Sequence, residues 1–243
     1  MLKMQNLRSV YRSDLVETHA LRDVNLEVEA GEFIAVTGPS GSGKTTFLNI
    51  AGLLDTATSG DYFLEGQNVS QLKDNVRSKI RNEKIGFIFQ SFNLIPELNI
   101  YENIEVPLRY RGFNGRQRRQ RIVQAMELVG IASRSKHLPA QLSGGQQQRA
   151  AIARALSGEP RFLLADEPTG NLDSLMARQV MELLETINQQ GTTVIMVTHD
   201  PELARRAKRN VQLLDGEVSD MQQPYAASLR AAQPPQTQQR TSV

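Results

Sequence analysis

Residues 38–45, GPSGSGKT, have the types and spacing of a loop that binds phosphate groups, G-x-x-x-x-G-K-[ST]. Glycine allows backbone turns in which successive N–H groups point inward and surround phosphate oxygens. Lys44 would act catalytically by placing a positive charge on the β- and γ-phosphates, and the Thr45 hydroxyl could coordinate Mg²⁺. A flexible Gly/Ser turn is the simpler alternative, but the apolar run before the loop and the helical pattern after it favour a phosphate loop. The candidate nucleotide contacts are Gly38, Pro39, Ser40, Gly41, Ser42, Gly43, Lys44, Thr45 and Thr46.

A pair of carboxylates, Asp166 and Glu167, ends the hydrophobic strand that the sequence predicts from residue 161. Asp166 suits the coordination shell of Mg²⁺, usually through water. Glu167 lies one residue further on and could polarise a water molecule for in-line attack on a γ-phosphate. Taken alone, the pair could equally be an ordinary acidic strand end or a helix cap.

The stretch LSGGQQQR at 142–149 offers a second place for phosphate, because two glycines after a serine open a helical pattern there. A helix N-terminus attracts anions through its free N–H groups and its dipole. One chain would then carry two phosphate sites but a single lysine-bearing loop, which predicts a head-to-tail dimer. A simple N-cap by the serine explains that residue but not the paired glycines. The candidate contacts are Ser143, Gly144, Gly145 and Gln146.

The elements that must position these residues alternate between buried strands and amphipathic helices. Strands are predicted within 1–30 and at 32–38, 61–69, 84–90, 161–166 and 192–199; helices are predicted at 43–54, 116–130, 146–156 and 174–191, and from Asp200-Pro201 onward. Asp173 or Ser174 would cap the fourth helix, and Gly130 and Gly191 would follow helix ends. This alternation predicts an α/β fold with a parallel sheet and helices on both faces.

Bulk composition limits the class of protein. The chain has 243 residues, 40% of them hydrophobic, which suffices for one sizeable core or a core with a small lobe. A net charge of +2 argues against a nucleic-acid partner, and the absence of cysteine excludes disulfides and thiolate metal sites. The N-terminus is not a secretory signal, and no stretch approaches the roughly 20 apolar residues of a membrane span. A role at a membrane would therefore need another chain to span it.

Three regions are expected along the chain. Residues 1–220 are expected to form one domain, into which a helical subdomain of about 91–157 is inserted. Residues 221–243 are rich in Gln and Pro and are predicted to be disordered.

These motifs, in this order, resemble the ATP-binding-cassette (ABC) ATPase family over residues 1 to about 220, and LSGGQ is that family's signature. The resemblance implies a P-loop NTPase core with a mostly parallel sheet, an N-terminal antiparallel β-subdomain and the helical subdomain. It also implies roles for four further residues. Tyr11 matches an aromatic that stacks on adenine, Gln90 a glutamine that reaches Mg²⁺ and the attacking water, Asp173 part of a loop that crosses the dimer interface, and His199 a switch histidine on the γ-phosphate.

Each of these four residues has a plainer explanation when it is considered alone. Tyr11 could be an exposed strand aromatic, Gln90 could simply end a strand, Asp173 could be only a helix cap, and His199 could be an ordinary loop residue. Their joint occurrence in the family's order favours the functional assignment.

Within the family, several stretches resemble the branch that serves lipoprotein-release, macrolide-export and cell-division-type permeases. The implied function is an ATPase that uses ATP and Mg²⁺, pairs with a second, identical copy and drives a separate transmembrane permease in export or substrate extraction. Its location would be the cytoplasmic face of the plasma membrane, with residues 90–102 as the candidate docking segment. The alternative is a regulatory ATPase that controls a membrane complex, such as a cell-wall hydrolase activator, without moving cargo.

Two other ABC-type classes fit less well. DNA-repair ATPases insert a long coiled coil between the phosphate loop and the signature, and this interval lacks sustained heptads. Translation-type proteins carry two cassettes in one chain, whereas each motif occurs once here.

Overall fold

The computed structural model describes residues 1–12 and 17–221, with side chains as far as Ser219. Apart from Met221, the tail that is predicted to be disordered lies outside the described residues. In the described part of the chain, every helix is too short or too polar to cross a membrane.

Ten strands and seven helices make up the described fold. The strands are β1 (Leu2–Arg12), β2 (Glu17–Val28), β3 (Phe33–Thr37), β4 (Ser59–Leu64), β5 (Gln67–Asn68), β6 (Ile85–Ile88), β7 (Phe162–Asp166), β8 (Thr193–Val197), β9 (Arg209–Leu214) and β10 (Glu217–Met221). The helices are α1 (Lys44–Ala51), α2 (Asp74–Lys84), α3 (Ile100–Arg109), α4 (Gly115–Leu128), α5 (Gly144–Leu156), α6 (Ser174–Gln189) and α7 (Pro201–Ala204), with 3₁₀ turns at Ala132–Arg134 and Pro139–Gln141.

The strands form two sheets. An antiparallel sheet has the order β2-β1-β4-β5, and a larger sheet has the order β10-β9-β3-β8-β7-β6. In the larger sheet every neighbouring pair is parallel except β10 with β9. The expected fold class, a mostly parallel core with an N-terminal antiparallel β-subdomain and packed helices, is confirmed.

The core lies on both faces of the larger sheet, because successive residues of a strand point to opposite sides. Ile34 and Val36 of β3 belong to an apolar cluster with α1 and the antiparallel sheet. Phe33 and Ala35 belong to a second cluster, with residues of α3, α4, α5 and α6. Helix α1 and helix α5 therefore pack on opposite faces of the same sheet. The helical stretch shares its core with the sheet, and its bounds at about 91–157 stay a prediction.

Some elements differ from the sequence expectation. Helix α1 ends at Ala51 and not at Leu54, because Leu53 has a φ of +57°, a left-handed conformation that ends an α-helix. Four elements, α2, α3, β9 and β10, were not predicted. Helix α2 buries only Ile80, so it lacks an apolar stripe that a sequence pattern could detect.

Candidate nucleotide site

The candidate site lies along one edge of the larger sheet. Strands β3, β8, β7 and β6 are parallel neighbours, so their carboxyl ends share an edge. The phosphate loop (residues 38–45) follows β3, and His199 follows β8. Asp166 ends β7, with Glu167 next, and Gln90 follows β6. Residues far apart in sequence are thus placed side by side where open α/β sheets bind their ligands.

The phosphate loop ends in a helix without a side-chain cap. Gly43 is the N-cap of α1, has a φ of 101°, and makes no capping side-chain bond. The first N–H groups of a helix have no acceptor inside the helix. They are therefore available to phosphate oxygens, and the helix dipole favours an anion there.

Neighbouring backbone fixes the loop on two sides. A Cβ on Gly43 would lie 2.3 Å from the carbonyl oxygen of Ala20 in β2, and one on Gly38 would lie 2.1 Å from that of Leu213 in β9. Lys44 Nζ donates hydrogen bonds of 2.7 Å to the carbonyl oxygens of Gly38 and Pro39. The ammonium group is thereby held across the loop, within reach of phosphates bound there.

Asp166 is a half-buried carboxylate at the end of β7. Burial raises the pKa of Asp166 above its ordinary value; the negative charge of Glu167 raises it further, and Lys44 opposes the shift. The negative charge of ionised Asp166 is therefore only partly balanced by positive charge from the protein. A cation beside this carboxylate would supply that compensation.

Glu167 has a strained backbone conformation, and the two residues that follow strand β8 hold its side chain. Its φ is +44°, in the left-handed region that non-glycine residues rarely occupy. Oε1 accepts from the backbone N–H of His199 at 2.9 Å and lies 2.6 Å from Nδ1 of the same residue. Oε2 accepts from the Thr198 hydroxyl at 3.2 Å. The carboxylate and the imidazole thus form one hydrogen-bonded unit.

Gln90 contacts the loop that follows Glu167. Its Nε2 donates to Asn171 Oδ1 at 3.4 Å, and Asn171 Nδ2 donates back to the Gln90 carbonyl at 3.0 Å. Gly170 packs so closely that a Cβ there would lie 2.6 Å from Gln90 Nε2. The loops after β6 and β7 are therefore joined directly.

Tyr11 stands apart from these strand ends, on β1 of the antiparallel sheet. Its side chain is 46% exposed, and its hydroxyl donates to Asp55 Oδ2 at 3.0 Å. An exposed ring face is what stacking on a base requires.

The signature (residues 142–146) opens α5 with a full capping box. The Ser143 hydroxyl accepts from the N–H of Gln146, and the Gln146 side chain accepts from the N–H of Ser143. Gly145 has a packing reason as well, because a Cβ there would lie 2.7 Å from Met176 Sδ of α6. Helices α5 and α1 pack on opposite faces of the sheet. The nearest neighbours of Gly144 and Gly145 are Phe92, Asn171, Leu172 and Met176, none of which belongs to the phosphate loop.

Asp173 caps helix α6, as one of the two sequence alternatives predicted. Its Oδ1 accepts from the N–H groups of Leu175 and Met176, at 3.0 and 2.9 Å. The side chain is exposed, so the cap leaves it accessible from outside the chain.

Sequence reasoning missed two residues of the site. Thr198 is fully buried and binds Glu167, and the only signal was a hydroxyl at the end of the strand that precedes His199. Asp55 holds the Tyr11 hydroxyl, and nothing in the local sequence links it to residue 11.

The comparison with known proteins agrees with this geometry. The profile of the ABC transporter family matches residues 21–170. The uncharacterized ABC transporter ATP-binding protein YvrO of Bacillus subtilis (strain 168) is 47% identical over 218 residues, which cover 90% of this chain and 95% of that protein. The macrolide export ATP-binding/permease protein MacB of Syntrophobacter fumaroxidans is 45% identical over 224 residues, 90% of this chain and 31% of that protein.

A solved structure is also similar to this chain in fold and sequence. The ATP-binding cassette MJ0796 of Methanocaldococcus jannaschii, as a dimer in a post-hydrolysis state bound to ADP and Pi, superposes with a TM-score of 0.83. It is 42% identical in sequence, and the match covers 92% of this chain and all of that one. With the family profile spanning more than half of its length, this chain belongs to the ABC transporter family and is one of its ATP-hydrolysing, ATP-binding proteins.

Proposed function

We propose that two identical copies of this chain bind two ATP molecules head to tail and hydrolyse them to drive a separate membrane permease. One observation carries the proposal. The phosphate loop and the catalytic candidates share one sheet edge, whereas the signature helix α5 packs on the other face from α1. A second copy can supply the missing signature, and the dimeric form of the MJ0796 cassette supports this arrangement.

The chemistry follows from the strand-end residues. Lys44, Thr45 and the loop amides hold the phosphates from one side, and Ser143 and Gly145 of the other copy approach from the opposite side. Glu167 accepts a proton from the attacking water, while His199 and Gln90 orient that water. The 2.6 Å contact between Glu167 and His199 supports a shared role for these two side chains.

Mg²⁺ fits the donors that surround the phosphate loop. No cluster of three or more His, Cys, Asp or Glu side chains occurs among the described residues. Mg²⁺ is commonly held by one or two carboxylates together with substrate phosphates and water. Asp166, whose raised pKa indicates an uncompensated charge, would hold it with Thr45 and Gln90. When bound, the ion would neutralise charge on the transferred phosphate.

The permease is proposed as the membrane-spanning partner, and this chain would then sit peripherally on the cytoplasmic face of the plasma membrane. Support comes from MacB, whose name joins an ATP-binding protein and a permease in one chain. The aligned part makes up 31% of MacB.

A groove of about 880 Å³ is the proposed docking surface, and it is formed mainly by α2, β6 and α3. Of the predicted docking segment at 90–102, only Asn93 lines it, so this surface lies mostly beside that segment. Tyr110, 82% exposed, stands at its rim. Its charged lining residues are Lys79, Arg81, Glu83, Arg111 and Arg154, an excess of cations that favours an acidic segment of the permease.

The nucleotide-site proposal is tested by two substitutions in the full-length chain. Lys44→Ala is expected to abolish ATP binding or hydrolysis. Glu167→Gln is expected to lower hydrolysis by at least about a hundredfold while ATP still binds and holds the dimer together. The measurements are ATP turnover and the molecular mass in solution with ATP. Wild-type turnover in either variant would refute the corresponding assignment.

The docking proposal is tested by co-purification with the membrane subunit. Tyr110→Ala combined with Lys79→Glu should reduce the amount of permease recovered, while basal ATP turnover stays unchanged. Full recovery of the permease with this variant would exclude the groove as the docking surface.

A further inference from the structure

Gln148 is a fully buried polar side chain in the second turn of α5, with 0% of its surface exposed. Gly145 and Ile152, three residues before and four after it, are buried on the same side of the helix. An apolar residue would be the ordinary choice at such a position. The amide therefore calls for a reason other than packing.

Its hydrogen bonds supply that reason. Nε2 donates to the carbonyl oxygen of Pro168 at 2.5 Å and to that of Phe89 at 3.4 Å. Both acceptors are carbonyl oxygens, so the nitrogen end of the amide must face them. Oε1 is then buried without a partner among the described residues, which costs free energy. The amide is kept at that cost for its two donated bonds.

The two carbonyls belong to the two loops that carry the proposed catalytic groups. Pro168 directly follows Glu167, and Phe89 directly precedes Gln90. Glu167 is in a left-handed conformation that persists only where surrounding contacts hold it. Gln148 is bonded to both loops from inside the fold, on the side away from solvent.

We propose that Gln148 is a positioning residue for ATP hydrolysis, which fixes the Glu167 loop and the Gln90 loop relative to each other and to the signature helix. This rests on the function proposed above, because that function gives Glu167 and Gln90 their roles. Helix α5 begins in the signature, which contacts the nucleotide of the other copy. Through Gln148, a shift of α5 on dimer closure moves the backbone beside both catalytic side chains of its own site.

A second side chain of α5 also holds the loop after β6. The Arg154 guanidinium donates to the carbonyl oxygens of Phe92 and Asn93, further along the loop after β6. Both of these residues have positive φ values. Two turns of α5 thus hold both ends of the segment 89–93. Of the two side chains, Gln148 is the one that also donates to the loop after β7.

The test is Gln148→Met, which keeps the length of the side chain and removes both donors. We expect kcat for ATP to fall about ten- to hundredfold, because small displacements of catalytic groups cost that much, with KM for ATP changed by less than about threefold. The matched control is Asn188→Leu. Asn188 is also a buried amide that donates to two carbonyls, those of Gly31 and Thr192, but on α6 away from the site. The control should lose a similar amount of thermal stability and keep its kcat.

Gln148→Glu separates donor loss from a packing change. The carboxylate cannot donate when ionised, whereas the protonated acid regains one O–H donor. Every other side chain is the same in both proteins, so the ratio of variant to wild-type kcat reports residue 148. That ratio should rise as the pH is lowered, and a flat ratio would count against the proposal.

Failure of the positioning role of Gln148 and failure of the proposed function give different results. If the wild-type chain hydrolyses ATP and Gln148→Met keeps its kcat, the positioning role is refuted and the proposed function stands. If the wild-type chain does not hydrolyse ATP, the proposed function itself fails. If Gln148→Met does not fold, Gln148→Asn is the second variant. It keeps the amide but is too short to reach both carbonyls. An undiminished kcat in Gln148→Asn also refutes the positioning role.

Discussion

At the scale of single residues, neighbouring carboxylates are given different environments. Asp166 is half-buried, with a raised pKa that burial causes. Glu167, one residue later, accepts hydrogen bonds from Thr198 and from the backbone of His199. The first carboxylate is thus suited to hold a cation, and the second to exchange a proton with water.

Asp166→Asn is expected to stabilise the chain and to abolish hydrolysis. A raised carboxyl pKa means that the ionised form costs the folded state free energy above that pKa. Removing the charge should therefore raise the free energy of unfolding at neutral pH. The advantage over wild type should shrink as the pH falls through the pKa of Asp166, because the wild-type group is then protonated too. Denaturant unfolding at several pH values, with ATP turnover in parallel, checks this, and a destabilised variant would contradict it.

Two glycines of the phosphate loop offer a matched pair. Gly41 and Gly43 both have positive φ, but a Cβ on Gly41 meets nothing within 4 Å, whereas one on Gly43 meets the Ala20 carbonyl oxygen at 2.3 Å. Gly41→Ala should cost about 1–2 kcal/mol of backbone strain. Gly43→Ala must in addition move the loop or β2, so it should lose ATP binding far more severely. Equal ATP affinities in the two variants would show that the close approach to β2 does not matter.

At the scale of elements, caps determine where the helices of the second face begin. Asn99, Asn114 and Ser143 each form a capping box, and Asp173 caps α6 with one carboxylate oxygen. Helix α1 has no side-chain cap and starts at the phosphate loop. An uncapped N-terminus keeps its donors for a ligand. Helix α2 also lacks a side-chain cap but begins after Lys73, whereas α1 begins at a glycine of the phosphate loop.

Asn114→Ala and Asp173→Ala should each cost about 1 kcal/mol of stability through the lost cap. For a chain of this size, the melting temperature should drop by about 2–4 °C in both. Asp173→Ala is expected to lower ATP turnover as well, since Asp173 is the proposed interface residue. Asn114→Ala should leave turnover unchanged, because Asn114 caps a helix outside the site. Thermal melts and turnover measured on the same preparations decide this, and equal turnover would reduce Asp173 to a cap.

At the scale of the whole molecule, the sheet separates the two halves of each site. Helix α1 packs on one face and helix α5 on the other, and in the proposed dimer a second chain completes the site. Binding and pairing are then linked, because ATP bound between two copies contributes to holding them together.

Mixing two inactive variants tests this arrangement. Lys44→Ala removes the phosphate-loop lysine, and Ser143→Arg blocks the signature. In a head-to-tail pair of one chain of each kind, one site is damaged twice and the other keeps both intact parts. The mixture should therefore recover turnover that neither variant shows alone. A mixture as inactive as its components would argue that each site is built within one chain.

Much of the fold was predictable because its signals are local. The buried strands β3, β7 and β8 are short apolar runs, and Gly130 and Gly191 mark helix ends with positive φ. Helix α2 and strands β9 and β10 escaped prediction, since α2 is polar on nearly every face and β10 is an edge strand. Their positions depend on contacts with distant parts of the chain.

The sequence by itself determined the phosphate loop, the order of the motifs and therefore the family, because a loop motif encodes its own backbone conformation within a few residues. Only the tertiary structure decided that Thr198 binds Glu167, that Gly145 lies against Met176 and that Gln148 joins two loops. These contacts join strand ends and helices that lie far apart in the chain. Their partners are chosen by which strands are neighbours in the sheet, and spacing along the sequence does not record that choice.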